Sequence, residues 1–347
     1  MEQTAVEKKF GKYVMASMIT MFLQSAYSMI DGLFVSNLIG DTALSAVNVA
    51  WPVIAVVTAI GTGVGCSGAV MMSTKQGEGK NEESNIVRAN VILALLASSI
   101  VVTILFLVLL TPLLKLMGAE GELLRLSQIY GRVMLTGGVL QILSCGLTPL
   151  LRNDNRAVSA MMIMVGGLFA NLGLDFVFMY VFHMGIGGAA GASLCAQLFT
   201  TLCCLIILGT KKTDPIRFSQ FMIRKEYWKK IFKTAVSPFG ISLTPSLLIL
   251  YHNVACLKFG GDLAVNAYAL ISSTVGSYRV LLIGVAEGIQ PLASYAYGAH
   301  DFHAIRKIRN KAIITAMSVS FFLFIFTIAT AWFYPAIYGY EGEAAEL

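Results

Sequence analysis

Nine apolar runs of about 20 residues or more divide the chain: 13–39, 43–73, 89–114, 123–148, 157–181, 187–209, 231–257, 263–297 and 312–338. Periodicity does not separate a helix from a buried strand in such runs. Their length favours helices, because about 20 residues at 1.5 Å each match the hydrocarbon core of a bilayer. Short polar segments separate them. The first run follows "MEQTAVEKKFGK", has no small-residue cleavage site and is too long for a signal-peptide core, so it is expected to be retained. Composition agrees: 56% of residues are hydrophobic, 13% are charged and the mean hydropathy is +0.74. A soluble domain carries roughly 25% charged residues. The pattern predicts an all-α polytopic membrane protein.

Charge adds an orientation. Alternating the segments places Lys8, Lys9, Lys12, Lys75, Lys80, Arg88, Arg152, Arg156, Lys211, Lys212, Arg217, Arg224, Lys225, Lys229, Lys230, Lys233, Arg306, Lys307, Arg309 and Lys311 on one side. The opposite side holds Lys115, Arg125 and Lys258. This bias puts the first side, here the basic side, and the N-terminus in the cytoplasm. With nine crossings Leu347 lands outside. The net charge of +6 follows topology and is no sign of nucleic-acid binding. Cys66, Cys145, Cys195, Cys203, Cys204 and Cys256 all lie in apolar runs without metal-ligand spacing, and read as small hydrophobes.

The pattern also repeats. At a constant offset of 221, Gly40-Asp41 meets Gly261-Asp262, Ala43 meets Ala264, and Ala46 meets Ala267. Gly63-Val64 meets Gly284-Val285, Gly77 meets Gly298, Arg88 meets Arg309, and "EGE" at 120–122 meets "EGE" at 341–343. A fixed offset with matching hydropathy marks a duplicated unit. Six crossings in the first unit give both units the same orientation. The reading is a first six-helix bundle over 1–210, a cytoplasmic linker over 211–230, and the first three helices of a second, incomplete bundle over 231–347. Leu347 corresponds to Leu126, so a second unit of equal size needs about 100 further residues, and the chain is expected to be a piece of a longer protein.

Ionisable groups inside the runs are the functional candidates, because charge in hydrocarbon is costly. Asp31 lies roughly 8 Å and Asp175 roughly 9 Å beyond the centres of their runs, both away from the basic side. Asn171 precedes Asp175 by four residues, on the same helix face. Two acids and an amide at one depth suit a proton or a sodium ion, since crowding and burial favour the protonated acid and hard oxygens suit sodium. The alternative is that each acid pairs with a buried cation or backbone donor. Gln24, Ser25 and Tyr27 lie one to two turns earlier and either line the same pocket or bond between helices. The 221-offset partner of Asp31 is His252, which reads as a proton-responsive group or as an interhelical hydrogen bond. Glu287 stands in the half of its run nearer the basic side, where it attracts a cationic substrate, binds a second coupling ion or sits in a fixed ion pair. Arg279 is about 12 Å from it along the axis, too far to pair along one helix. Gln24, Tyr27, His252 and Glu287 form the expected substrate-cavity set, and Arg132 reads as a structural counter-charge.

The stretches "MIDGLFVSNLIGDTALSAV" (29–47), "PLLRNDNRAVSAMM" (149–162), "ANLGLDFVF" with "GIGGAAGASLCAQ" (170–197) and "GIQPLASYAYGAHDFHAIRK" (288–307) carry a family likeness. Through them the sequence resembles the multidrug and toxic compound extrusion (MATE) transporters, bacterial efflux members in particular, over nearly its whole length. The resemblance implies two six-helix bundles around a central cavity and a secondary-active antiporter that exports drugs, in exchange for protons or sodium, by alternating access. It matches Asp31, Asn171 and Asp175 to the family's first-bundle cation site. It implies no cofactor beyond the coupling ion, H+ or Na+. The expected partners are small-molecule, cationic drugs and the lipid bilayer, with a monomeric multi-pass protein in a bacterial plasma membrane.

Other classes fit less well. A lipid-linked precursor flippase of related architecture is the alternative transporter, but anionic pyrophosphate calls for a cationic lining. A membrane-embedded enzyme is opposed by the lack of HExxH, paired ligand histidines or a GxSxG elbow. A non-transporting receptor would be favoured by loss of all drug gradients in vesicles. "GVGCSG" (63–68) fits a dinucleotide fingerprint only in letters, for it lies inside a membrane run, where glycines permit close helix packing. "GIGGAAGA" (185–192) reads likewise. Pro238 and Pro245 bend the run that holds them, for alternating access or simply for fit. The basic, aromatic 211–230 link either lies on the anionic membrane surface or only sets topology. The charge bias yields a test: a cysteine near Gly40 reacts with an impermeant thiol reagent from outside the cell, and one near Gly79 only from inside, the reverse pattern overturning the orientation.

Overall fold

The computed structural model describes residues 3–210 and 220–330. Its helices are α1 (Gln3–Ile39), α2 (Asp41–Gly77), α3 (Asn81–Leu116), α4 (Gly121–Thr136), α5 (Gly138–Leu151), α6 (Ala157–Asp175), α7 (Gly185–Gly209), α8 (Lys225–Gly298) and α9 (Phe302–Thr330). Tight turns separate them where glycine takes a positive φ, at Gly40 (117°) before α2 and Gly79 (76°) before α3. Lys75 and Lys80 close the second turn through Glu78 at 3.0 Å each, and hold its carboxyl below the usual range. Among the described residues, six stretches are long and apolar enough to cross a membrane by length and composition. The expectation of a helical membrane protein holds.

Three runs take a form the pattern does not show. The fourth is broken at Gly137 into α4 and α5. The seventh and eighth are joined in α8, which folds back on itself. Gly63 of α2 touches Ala235 and Gly77 of α2 touches Tyr295, at points about 21 Å apart along α2. A straight helix would separate Ala235 from Tyr295 by about 90 Å. Helical hydrogen bonding continues past Pro238 and Pro245 in its first arm.

The larger core gathers α2, α3, α4, α5 and α7 around fully buried Ile54, Leu95, Leu135, Leu147 and Leu150. Side chains such as Val101, Ile104 and Val108 of α3 point outward and are exposed, as suits a lipid-facing surface. A smaller cluster joins Phe10, Tyr13 and Val14 of α1 to Val285, Leu292 and Ala296 of α8 and Ala304 and Ile308 of α9.

Between the first six crossings and α8 the close approaches obey the 221 offset. A Cβ on Gly77 would lie 2.1 Å from the Tyr295 carbonyl, and one on its counterpart Gly298 2.0 Å from the Thr74 carbonyl. Gly63 packs on Phe239, and the counterparts Gly284 and Met18 pack on each other. Ser67 hydrogen-bonds the Ile231 carbonyl and Thr234, while their counterparts Gly288 and Tyr13 are in contact. These contacts all lie toward the basic side. Away from it the helices part: Phe22, one turn past Met18, is exposed, Gly240 and Gly276 meet nothing within 4 Å, and Leu247, Leu248 and Ile249 are all exposed. The helices are thus packed together toward the basic side and spread apart away from it.

Residues 211–219 of the linker lie outside the described residues, so the expected surface segment is described only from Gln220 onward. There Asn90 of α3 clamps the chain, donating to the Met222 carbonyl at 3.1 Å and accepting from the Arg224 N–H at 2.9 Å. All six cysteines are free thiols. The glycine seam gives a direct expectation. Gly77→Ala or Gly298→Ala drives a methyl into backbone and costs about 1–3 kcal/mol, seen as a lower Tm in detergent. Gly11→Ala, in a helix with open space around it, leaves Tm unchanged or slightly raises it.

Candidate functional site

Two helices bring the predicted acids together. Asp31 comes from α1, and Asn171 and Asp175 from α6. Asn171 Nδ2 donates to Asp175 Oδ2 at 2.9 Å, the i,i+4 contact expected on one helix face. Asp175 is fully buried. It stands where α6 passes into a wider helical turn, Phe176–Val181, a local irregularity common at functional sites. The Asp31 carboxyl comes within hydrogen-bonding reach of Asp175, while Asp31 Oδ1 is buried and has no hydrogen-bond partner. Tyr130 of α4, 5% exposed, lies close enough for both carboxylates to act on its phenol. Two carboxyl groups in contact demand a proton or a cation between them, because both cannot stay ionised and bare in a dry site. The spare oxygen of Asp31 adds a ligand position facing the pair. Among the described residues no three His, Cys, Asp or Glu side chains converge on one point.

The remaining predicted residues stand apart from this cluster. Gln24 is exposed on α1 and Ser25 is half-buried. The side chain of Tyr27 lies outside the described residues. His252 is exposed on α8, with Nδ1 2.8 Å from the Leu248 carbonyl and its ring stacked on Tyr268 at 5.0 Å. Arg132 is exposed on α4, and the Nε of Arg279 is buried without a hydrogen-bond partner.

Glu287 has a partner that sequence reasoning missed. It forms an ion pair with Arg152, whose side chain is 7% exposed. Arg152 opens an irregular turn, Arg152–Arg156, between α5 and α6, in which Asn155 has a φ of 61°, a left-handed conformation that asparagine tolerates. Asp154 of this turn accepts from Gln76 at 3.0 Å and pairs with Arg88 at 3.4 Å, each partner of that ion pair 1% exposed. Arg88 in turn donates to Asn85 at 2.6 Å. Nothing in the local pattern separates Arg152 from the topological charges around it, and Tyr130 looks like any aromatic of an apolar helix. Only the crowding of polar residues in "RNDNR" directly against an apolar run hints at burial.

Comparison with known proteins places the fold in a family. The MatE family model matches residues 16–177 and 241–347. The multidrug export protein MepA of Staphylococcus saprophyticus is 24% identical over 320 residues, covering 92% of this chain and 70% of the relative. A solved outward-facing conformation of a multidrug resistance MATE family transporter superposes with a TM-score of 0.92 at 25% identity, covering 98% of this chain and 76% of that one. A transporter of the MOP superfamily from Pyrococcus furiosus, whose binding pocket is described as reversed in polarity, gives 0.91 at 25% identity over 98% and 75%. With its helices, its repeat-related contacts and these matches in accord, the chain belongs to the MatE family, the multidrug and toxic compound extrusion transporters, which move solutes across membranes and are not enzymes.

Proposed function

We propose that this chain exports small organic drugs, cationic ones above all, in exchange for protons or sodium, by alternating access between two bundles. The observation that carries the reading is the contact of Asp31 with Asp175, braced by Asn171 and flanked by Tyr130. A proton or sodium held there joins α1 to α6, and its loss leaves two carboxylates repelling each other in a dry site. Ion occupancy therefore biases the packing of α1, the helix that also packs against Gly284 and Gly288 of α8. That is the physical requirement for coupling: one element whose position both the ion and the access route depend on. The drug enters a cleft between the bundles. His252 and Gln24 are exposed and free to contribute to its wall, whereas Glu287 attracts a cation only if Arg152 releases it.

The charge bias places the basic side, where the helices pack together, in the cytoplasm of a bacterium, with the protein a multi-pass monomer of the plasma membrane. The structure then supports an outward-facing state. The acidic ion site also speaks against a flippase for pyrophosphate-linked lipids.

Drug affinity measured across pH and sodium tests the site. For the unaltered protein, coupling makes affinity vary by roughly 5–150-fold over the range in which the ion binds. Asp31→Asn and Asp175→Asn keep size and hydrogen bonding but cannot exchange a proton. Each is expected to fold, to bind drug, to lose ion-driven transport and to show a flat ion dependence. If both variants retain the original ion dependence, the acids are structural.

A further inference from the structure

The turn 152–156 does more than connect α5 to α6. Its far end is fixed to the first bundle: Asp154 is held by Gln76 and Arg88, and Asn155 accepts from the Tyr13 hydroxyl at 3.4 Å. Its near end reaches across the seam. Arg152 meets Glu287, and Asn153 both donates to Gln290 at 3.4 Å and accepts from Ser294 at 3.3 Å. Glu287, Gln290 and Ser294 follow the i, i+3, i+7 spacing of one face of α8. Beside them Ser73 of α2 donates to the Pro291 carbonyl at 3.2 Å. The turn therefore belongs to one bundle by construction and grips the other by side chains alone.

We propose that Arg152 and Asn153 form a releasable latch on the face Glu287–Gln290–Ser294, and that this latch keeps the transport pathway closed at the basic side. The proposal rests on the alternating-access reading above. The choice of a charge pair fits a latch better than a permanent brace. A buried ion pair adds little stability over apolar side chains of the same size, because desolvation consumes most of the attraction. When the seam opens, both charges regain water, whereas an apolar pair would lose its burial outright. Such a pair fixes the alignment of the closed state while keeping opening cheap. The 221-offset counterpart of Glu287 is Cys66, so the arm of the first bundle that mirrors α8 presents a thiol where α8 presents a carboxylate. That thiol is 7% exposed and lies close enough to feel Arg152 and Glu287 and to hydrogen-bond Gln290.

Cys66 is thus a built-in reporter of opening. In a variant keeping Cys66 and lacking the other five cysteines, a membrane-impermeant methanethiosulfonate is applied from the basic side. A second variant carries Phe22→Cys as its sole cysteine and is probed from the opposite side, where the helices part. Glu287→Gln and Arg152→Gln are each expected to speed labelling of Cys66 by about tenfold or more, and to slow labelling at position 22, because freeing the latch shifts the population toward opening on the basic side. The exchanged pair Arg152→Glu with Glu287→Arg is expected to restore both rates toward those of the parent. A merely loosened fold would speed labelling at both positions and would overturn the proposal. Unchanged rates in both single variants, or no recovery in the exchanged pair, would overturn it equally. The readout needs neither drug nor coupling ion, so it stands apart from the test of Asp31 and Asp175.

Discussion

Arg152 leaves water because Glu287 meets it, and the same condition governs other ionisable groups buried in hydrocarbon. Arg88 is 1% exposed because Asp154 and Asn85 receive it. Asp175 is fully buried because Asn171 donates to it and Asp31 faces it. The pairings Arg152–Glu287, Arg88–Asp154 and Asp31–Asp175 tie together segments that are distant in sequence. The fold is thus organised by two polar knots in an apolar frame, one toward the basic side and one in the opposite half of the first bundle. α1 passes through both, through Tyr13 at one and Asp31 at the other.

Much of this was legible in the sequence, for a physical reason. Hydrocarbon thickness sets the length of a crossing and the cost of charge sets its polarity, so runs and loop charges are read almost directly. The repeat was legible because duplicated helices keep small residues where backbones touch, and Gly77 with Gly298 shows the contact that demands them. Asp31, Asn171 and Asp175 came within view because depth can be counted at 1.5 Å per residue. What could not be counted was which side chains face each other across helices. Tyr130 and Arg152 carry no local mark of their partners, which stand on other helices. The break at Gly137 and the joining of the seventh and eighth runs in one helix, α8, were hidden because hydropathy alone does not show where helical hydrogen bonding stops.

The repeat also shows where likeness ends. Backbone contacts at the seam keep their counterparts, yet Asp31 faces His252 across the offset and Glu287 faces Cys66. Packing imposes the same demand on both units because they meet each other about one axis. Chemistry does not, because an ion site or a charge pair needs to exist only once. Stretches alike in their backbone packing therefore differ in their polar residues.

Part of that seam is made of main chain. Where Gly77 lies on Gly298, and Gly288 on Val14, no side chain of one bundle is threaded between side chains of the other. Interlocked rotamers would have to unhook one by one before the bundles could separate, and each would add friction. Smooth backbone surfaces part without that step. At those points opening is resisted by the polar groups beside them that must exchange a protein partner for water, and its pace there is a matter of hydration more than of side-chain motion.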